Sequence, residues 1–156
     1  MAEGEKSRLI AWSNELRAVH DRLRHALVIA EEAVASGESA EAATRDLLLF
    51  CHGFCTALTE HHEGEDRELF PAIAEAHPEL RDTLRHLEQD HSMIAHLIAG
   101  MRSALSSSAP PGDLARHLEG IGAIMESHFR YEERALLTVL ETLALDADPK
   151  RVLGPL

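Results

Sequence analysis

The stretch LTEHHEGEDRELFP, residues 58–71, carries two histidines and five acidic side chains and decides how the rest of the chain is interpreted. Leu58, His61, Glu65 and Leu69 follow one another at steps of three, four and four, which is the spacing of one face of an α-helix. Because leucines stand at both ends of this series, we expect His61 and Glu65 to face a protein core. Most of the neighbouring acidic residues are expected to face solvent, namely Glu60, Glu63, Asp66 and Glu68.

The same spacing of apolar residues recurs over four long stretches separated by three breaks. A strand interpretation fails because the steps are three and four, not two. Ser39 and Asp113 are the expected N-caps of the second and fourth helices, and Pro71 is expected to bend or end the second. The predicted helices run, in order, from about Glu5 to Ser36, Ser39 to Pro71, Pro78 to Leu105, and Asp113 to Leu143.

Short connections between long helices make sequential neighbours antiparallel. The sequence therefore predicts an all-α fold, an up-down-up-down antiparallel four-helix bundle. A chain of 156 residues fits one domain, which we expect over residues 1–146, with residues 147–156 as a loosely ordered C-terminal tail.

Charge and composition narrow the choice of partners. The formal net charge of -12 disfavours phosphate backbones and anionic headgroups, so no nucleic-acid or membrane partner is expected. The sequence shows neither a signal peptide nor a membrane span, which favours a soluble, cytoplasmic protein. Cys51 and Cys55 lie one helical turn apart and are expected to be buried free thiols.

Histidine and glutamate side chains interrupt the apolar stripe of every predicted helix. His20 lies among Val19 and Leu23, and His91 lies between Leu87 and Ile94. The fourth helix repeats the pattern of the second, which gives six inward ionisable groups: His20, His61, Glu65, His91, His128 and Glu132. Burying two carboxylates without partners would cost on the order of several kcal/mol each. We therefore expect something positive between them.

The placement also repeats along the chain. The same interval separates His61 from His128 and Glu65 from Glu132, so each pair of helices contributes an isolated histidine and a His-x-x-x-Glu pair. Two such halves offer each of two metal ions a pair of imidazoles, with both carboxylates able to bridge. Nitrogen and oxygen ligands without thiolate suit iron, manganese or zinc; a bridged pair in a helical bundle favours di-iron, with zinc as the main competitor.

Four motifs in order, LRAVHDRL, EHHEGEDRELFP, EQDHSMI and HFRYEE, resemble the hemerythrin-like (HHE cation-binding) family over roughly residues 12 to 140. The resemblance implies a four-helix bundle around a non-haem iron pair with a bridging oxo or hydroxo group. Family members bind oxygen, sense iron or oxygen, or act on peroxide or nitric oxide. Carried over by position, it implies His20 and His61 at one iron, His91 and His128 at the other, and Glu65 and Glu132 bridging.

One position departs from the oxygen-carrying members of that family, which have a fifth histidine where this chain has Leu87. His86 is adjacent but rotated by about 100° on the helix. His62, Glu63, Tyr131 or solvent is expected to replace the missing ligand, and His62 is the first choice. Solvent there would leave two exchangeable positions and favour redox chemistry over reversible oxygen carriage.

Three functions follow as hypotheses. The leading one is a di-iron protein that binds or reacts with dioxygen, hydrogen peroxide or nitric oxide, with catalase- or peroxidase-like turnover as its enzymatic form. The alternative is an iron- or oxygen-responsive sensor or iron-binding module without turnover. The third is a structural bundle with an incidental zinc ion or no metal.

Overall fold

The structure, a computed structural model, describes residues 10–35 and 41–154, and the side chains of all of these except residues 41–48. The described chain is helical and contains no strand, which confirms the all-α prediction. The elements are α1 (Trp12–Ala35), α2 (Glu41–Gly64), a π-helical segment (Glu65–Leu69), α3 (Phe70–Ala76), a 3₁₀ turn (Pro78–Leu80), α4 (Arg81–Ser106), α5 (Pro111–Leu140) and α6 (Pro149–Leu153).

The core is built from the apolar stripes that the sequence indicates. Of the predicted stripe residues that the structure describes, only Leu27 and Val139 are half-buried, and the rest are buried. These stripes meet because α1 packs against α2 and α5, and α4 packs against α5 and α2. Burial of such stripes is the main source of helix stability in a protein of this kind.

Contacts of α1 with α5, and with the connection that follows α5, pair the beginning of α1 with the end of α5. Trp12 donates its indole N–H to the carbonyl oxygen of Leu145 at 3.0 Å, and Arg24 forms an ion pair with Glu126 at 2.8 Å. Leu27, further along α1, lies beside Gly122, which is earlier in α5. These two helices therefore run in opposite directions.

The second long helix does not end at Pro71. Residues 65–69 form a π-helical segment in which the N–H of Phe70 donates to the carbonyl oxygen of Glu65, and the chain remains helical through Pro71 to Ala76. Proline has no N–H to donate to the preceding turn, and a π turn is one way to accommodate that loss. The bend expected at Pro71 is thus replaced by a widened turn that begins at Glu65.

Two other predicted helix ends differ. α5 begins at Pro111, so Asp113 lies in the first turn and pairs with Arg116 instead of acting as the N-cap. The same helix ends at Leu140, and Leu143 packs into the core from the connection that follows. The proposed cap Ser39 lies outside the described residues. Helix α1 begins at Trp12, whereas a start near Glu5 was expected, and Ile10 and Ala11 are not helical.

Residues near the end of the chain are packed, contrary to the expectation of a loosely ordered tail over residues 147–156. Pro149–Leu153 form helix α6, which contacts α1, α2 and the π-helical segment. Val152 and Leu153 are fully buried, and Asp148 caps the helix by accepting from the N–H of Lys150. The apolar pair Val152 and Leu153 supplies the reason, since both side chains complete the core.

No helix among the described residues is long and apolar enough to cross a membrane. Cys51 and Cys55 are free and buried as expected, and burial raises the pKa of each thiol to about 11. Neither thiol is therefore a thiolate at neutral pH.

Candidate metal centre

Five elements bring the predicted ionisable groups together in the core. His20 comes from α1, His61 from the last turn of α2, and His91 from α4; Glu65 opens the π-helical segment, while His128 and Glu132 lie one turn apart on α5. All six side chains are buried, as is that of His62. Seven ionisable groups in one core are unusual, because such groups are almost never fully buried unless paired.

The ligand atoms of these residues form two neighbouring groups, within each of which they lie no more than 4.8 Å apart. Group 1 contains His20, His61 and Glu132, and group 2 contains His62, Glu65, His91 and His128. The division of the four predicted histidines into His20 with His61 and His91 with His128 matches the sequence-based pairing. His62 joins the second pair.

Each glutamate also reaches across to the other group. Oε1 of Glu65 lies 3.4 Å from Nε2 of His61 in group 1 and 3.3 Å from Nε2 of His91 in its own group. Glu132 does the same, with Oε1 at 2.9 Å from Nε2 of His20 and Oε2 at 3.8 Å from Nε2 of His128. The two carboxylates therefore lie between the groups.

The outward nitrogens of the four predicted histidines are all held by oxygen atoms. Nδ1 lies within hydrogen-bond distance of Glu133 for His20 (3.1 Å), of the Leu153 carbonyl for His61 (2.8 Å), of Asp66 for His91 (2.7 Å) and of Asp90 for His128 (3.0 Å). An oxygen acceptor at Nδ1 requires a proton there, so in a neutral ring Nε2 carries a lone pair turned inward; the Nε2 atoms of His91 and His128 lie 3.1 Å from each other. This is the support that metal-bound histidines almost always have in proteins.

Aromatic packing fixes two of the rings further. The His20 ring stacks on Phe129 at 3.8 Å between centroids, with the guanidinium of Arg24 at 5.4 Å from the Phe129 ring. The His62 ring stacks on His91 at 3.9 Å. This stacking restricts the orientation of both rings.

Burial dominates the electrostatics of the imidazoles. It lowers the pKa of His61 to about 3, with a further contribution from nearby His20, and it lowers the pKa of His62 and His128. Burial also disfavours charge on His20, but the carboxylates of Glu132 and Glu133 outweigh it and raise the pKa of that imidazole. Most of the histidines are therefore neutral, the form that binds metal.

The two glutamates respond to burial in opposite directions. Burial and the carboxylate of Glu132 raise the pKa of Glu65 well above its ordinary value. Burial would raise the pKa of Glu132 too, but its contacts with His20 outweigh that effect and lower it. Contact with His20 therefore favours the charged form of Glu132, whereas the causes acting on Glu65 all favour its neutral form.

The fit to a metal can be judged from buried polar atoms that have no hydrogen-bond partner. In the described chain these atoms are Nε2 of His20, His61 and His62, and both carboxylate oxygens of Glu65 and of Glu132. Nε2 of His20 lies 2.9 Å from Oε1 of Glu132, but a neutral ring with its proton on Nδ1 has none to donate there. Buried polar atoms in native proteins are nearly always paired, so seven unpaired atoms around one location need an explanation. Nitrogen and oxygen lone pairs that converge without donors fit cations.

Other candidates from the sequence are less buried. Glu63 is exposed and belongs to neither group of ligand atoms, and Tyr131 is partly buried. Leu87 is buried and His86 is exposed, as expected from their rotation on the helix. The remaining histidines are exposed or half-buried at His25, His52, His77, His96 and His117.

Sequence reasoning missed the outer partners of the histidines. Asp66 was placed on the charged outer face, and no role was given to Asp90, Glu133 or Leu153. A signal existed for three of them, since Asp66 and Glu133 directly follow the two candidate glutamates and Asp90 directly precedes His91. The carbonyl of Leu153 had no such signal, because a backbone oxygen is available at every residue.

Together the fold and the cluster define a helical, metal-binding class of protein. The family model described as the hemerythrin HHE cation binding domain matches residues 13–141, and the chain belongs to this family. No curated protein and no solved structure matches the chain. Family membership implies cation binding, with iron as the expected cation, and the histidine and glutamate cluster fits such a site.

Proposed function

We propose that this chain is a non-haem di-iron protein that binds or reacts with dioxygen, hydrogen peroxide or nitric oxide. The proposed cofactor is a pair of iron ions, Fe2+ or Fe3+, joined by a bridging oxo or hydroxo group. One observation carries the proposal: seven buried nitrogen and oxygen atoms with no hydrogen-bond partner surround a single location in the core. Family membership supports the choice of iron.

In this proposal group 1 and group 2 each hold one ion. His20 and His61 bind the first, His91 and His128 bind the second, and Glu65 and Glu132 bridge. The bridging role is supported by the contacts of each carboxylate with imidazoles of both groups, at 2.9 to 3.8 Å. Bridging carboxylates would hold the two ions close and balance their charge.

His62 is the proposed third imidazole of the second ion, in place of the ligand absent at Leu87. Its Nε2 is buried without a partner, and its ring stacks on His91 in the same group. Group 2 would then supply three imidazoles and group 1 two. We propose that the exchangeable position for a small ligand lies at the first ion, which has fewer protein ligands.

We also propose how the four long helices are arranged. An up-down-up-down antiparallel bundle of the four long helices is supported by the contacts between α1 and α5. It is also supported by those between α4 and α5, where Gly100 lies beside His117 and Asp90 beside His128. The bundle would form one unit over residues 1–146 to which α6 adds.

Only small ligands suit the surroundings. Buried apolar packing is formed by Trp12, Phe54, Leu58, Ile94 and Met125, and such packing excludes bulk water and large substrates. A cavity of about 160 Å³ between α2 and α4 reaches the rings of His62 and His91 from a rim that includes Glu63 and Ser92. We propose that a diatomic molecule or peroxide enters by this cavity and passes the second ion to reach the exchangeable position at the first.

The iron pair would supply one-electron redox chemistry between ferrous and ferric states. The chain's own residues would orient the imidazoles through Asp66, Asp90, Glu133 and the Leu153 carbonyl, and exclude water with the apolar wall. Sensing or iron binding without turnover is the alternative; the direct link from His61 to the separate helix α6 favours it, because a metal-dependent change could reach the surface there.

Metal analysis combined with an absorption spectrum tests the proposal. We expect about two irons per chain and oxo-to-iron charge-transfer bands, with loss of both in His91→Leu and retention in the matched surface variant His86→Leu. Steady consumption of peroxide by the ferric protein would support turnover, and binding without consumption would support the sensor alternative. Zinc at the site, or full stability and no metal in either variant, would contradict the di-iron proposal.

A further inference from the structure

Helix α6 is attached to the candidate metal centre through backbone atoms. The Nδ1–H of His61 donates to the carbonyl oxygen of Leu153 at 2.8 Å, and both residues are fully buried. The other three outer partners are carboxylates of α5, of α4 and of the π-helical segment. His61 is thus the one predicted metal-binding histidine whose ring is oriented by a backbone oxygen, and that oxygen is present only while α6 is docked.

Two glycines allow this close approach. A Cβ atom on Gly64, at the end of α2, would overlap the carbonyl oxygen of Val152. Gly154 has φ of +98°, which other residues rarely adopt, and a Cβ there would lie 3.2 Å from the backbone nitrogen of His61. Backbone therefore packs against backbone on both sides of the Leu153 carbonyl.

Docking of α6 is further secured by side chains. Val152 and Leu153 are fully buried in the core, and Arg151 forms an ion pair with Glu68 of the π-helical segment at 3.2 Å. Burial of these two aliphatic side chains removes apolar surface from water and so stabilises the docked position of α6.

We propose that α6 is a positioning element for the metal centre and that its docking sets the affinity of the metal position formed by His20, His61 and Glu132. This inference rests on the proposed metal binding at that position. The Leu153 carbonyl holds the proton of His61 on Nδ1 and keeps Nε2 aimed inward. Because coupling between two equilibria is reciprocal, metal uptake at group 1 strengthens the docking of α6.

The variant Gly64→Ala tests the coupling without touching a ligand or an outer partner. Its added methyl group displaces the Val152 carbonyl and with it α6, while alanine favours the helix itself. Gly53→Ala is the matched control, since it lies on the same helix and a Cβ there meets nothing within 4 Å. Leu153→Ala is a second route to the same displacement, because it removes a buried side chain and leaves α2 unchanged.

Titration of the 156-residue chain with Co2+, followed by absorption, measures both metal positions. Loss of an outer partner typically weakens metal binding by about 10–100-fold. We expect a loss of that size at one position in Gly64→Ala and Leu153→Ala, with the second position and the Gly53→Ala control unchanged. An equal loss at both positions would indicate general loosening of the core and would overturn the proposal, as would wild-type affinity at both positions.

Hydrogen exchange of the wild-type chain gives a test that needs no mutation. Amide protection over residues 149–154 should rise when metal is added, by more than protection in α4. Unchanged protection in a chain that takes up two ions would overturn the coupling and leave the proposed function intact. A wild-type chain that takes up no metal would instead contradict the proposed function itself.

Discussion

Each His-x-x-x-Glu pair contributes one residue to each group of ligand atoms, yet the two groups are supported in different ways. In group 1 the outer partners lie inside the protein: the Leu153 carbonyl is buried, and Glu133 is 21% exposed and also bound by Arg24. In group 2 the partners are Asp66 and Asp90, which are 40% and 42% exposed. The partners in group 1 are largely shielded from water, whereas those in group 2 are carboxylates that water can reach.

This difference indicates how well each group can tolerate the loss of an outer hydrogen-bond partner. Water can replace an exposed carboxylate as a hydrogen-bond partner, but it has little access to a buried one. Group 2 also adjoins the cavity of about 160 Å³ and contains the additional imidazole of His62. Group 2 thus has more ligands and weaker support, whereas group 1 has fewer ligands that are more rigidly placed.

The largest effect is expected where the two groups meet. Glu65→Ala or Glu132→Ala removes a carboxylate that contacts imidazoles of both groups, so each should lower iron to one or fewer ions per chain. Glu63→Ala, an exposed neighbour on the same segment, should retain two. Elemental analysis of the three purified variants measures the number of irons per chain. Two irons in both glutamate variants would refute the bridging role.

Removing His62 should weaken group 2 alone. His62→Leu keeps a similar volume but takes away a buried nitrogen that has no other partner. Because loss of an outer partner already weakens metal binding 10–100-fold, loss of a ligand should cost roughly a hundredfold or more at one position. His52→Leu, an exposed histidine on the same helix, is the control. If a competition titration gave equal affinity for His62→Leu and wild type, solvent and not His62 would fill the position left by Leu87.

The inward-facing groups could be predicted from the sequence because one helical period decides which way a side chain points. His20, His61, His91, His128 and the two glutamates each continue a stripe of leucines and isoleucines, and each is buried. His62 is one position off its stripe, but the site lies between α2 and α4 and accepts a ring stacked on His91. The helical period predicts which side of one helix a side chain faces. How many neighbouring positions are also buried depends on how the helices pack together.

The support around the ligands could be predicted only in part. Asp66, Asp90 and Glu133 stand beside candidate ligands in the sequence, yet which histidine each meets depends on how the edges of neighbouring helices align. The Leu153 carbonyl comes from a segment that is distant in sequence and expected to be loose. Gly64 could have indicated this contact. Glycine destabilises the interior of a helix, and one reason for its presence there is that another chain segment approaches closely.

The outer partners themselves should show the contrast between the groups. Glu133→Gln removes the charge that faces His20 inside group 1, and we expect metal binding there to weaken by about 10–100-fold. Asp90→Asn makes the same change in group 2, where water can take over, and should cost about tenfold or less. Titrations with a competing chelator give both affinities. Equal losses would mean that solvent exposure of the partner does not matter.

The smallest effect concerns protons in the metal-free protein and separates the two histidines of group 1. Burial lowers the pKa of His61 to about 3, whereas Glu132 and Glu133 outweigh burial and raise that of His20. Between about pH 6.5 and pH 3 the unfolded chain therefore binds a proton at His61 more readily than the folded chain does, so this residue makes the fold less stable as pH falls. His20 acts in the opposite sense: its stabilising contribution is complete below its unfolded pKa and is lost as pH rises through the folded one.

NMR titration of the two rings should show His20 protonated at pH 6 and His61 still neutral at pH 5. A His61 ring that titrates near 6.5 would mean that water reaches group 1 and that its support is no drier than that of group 2.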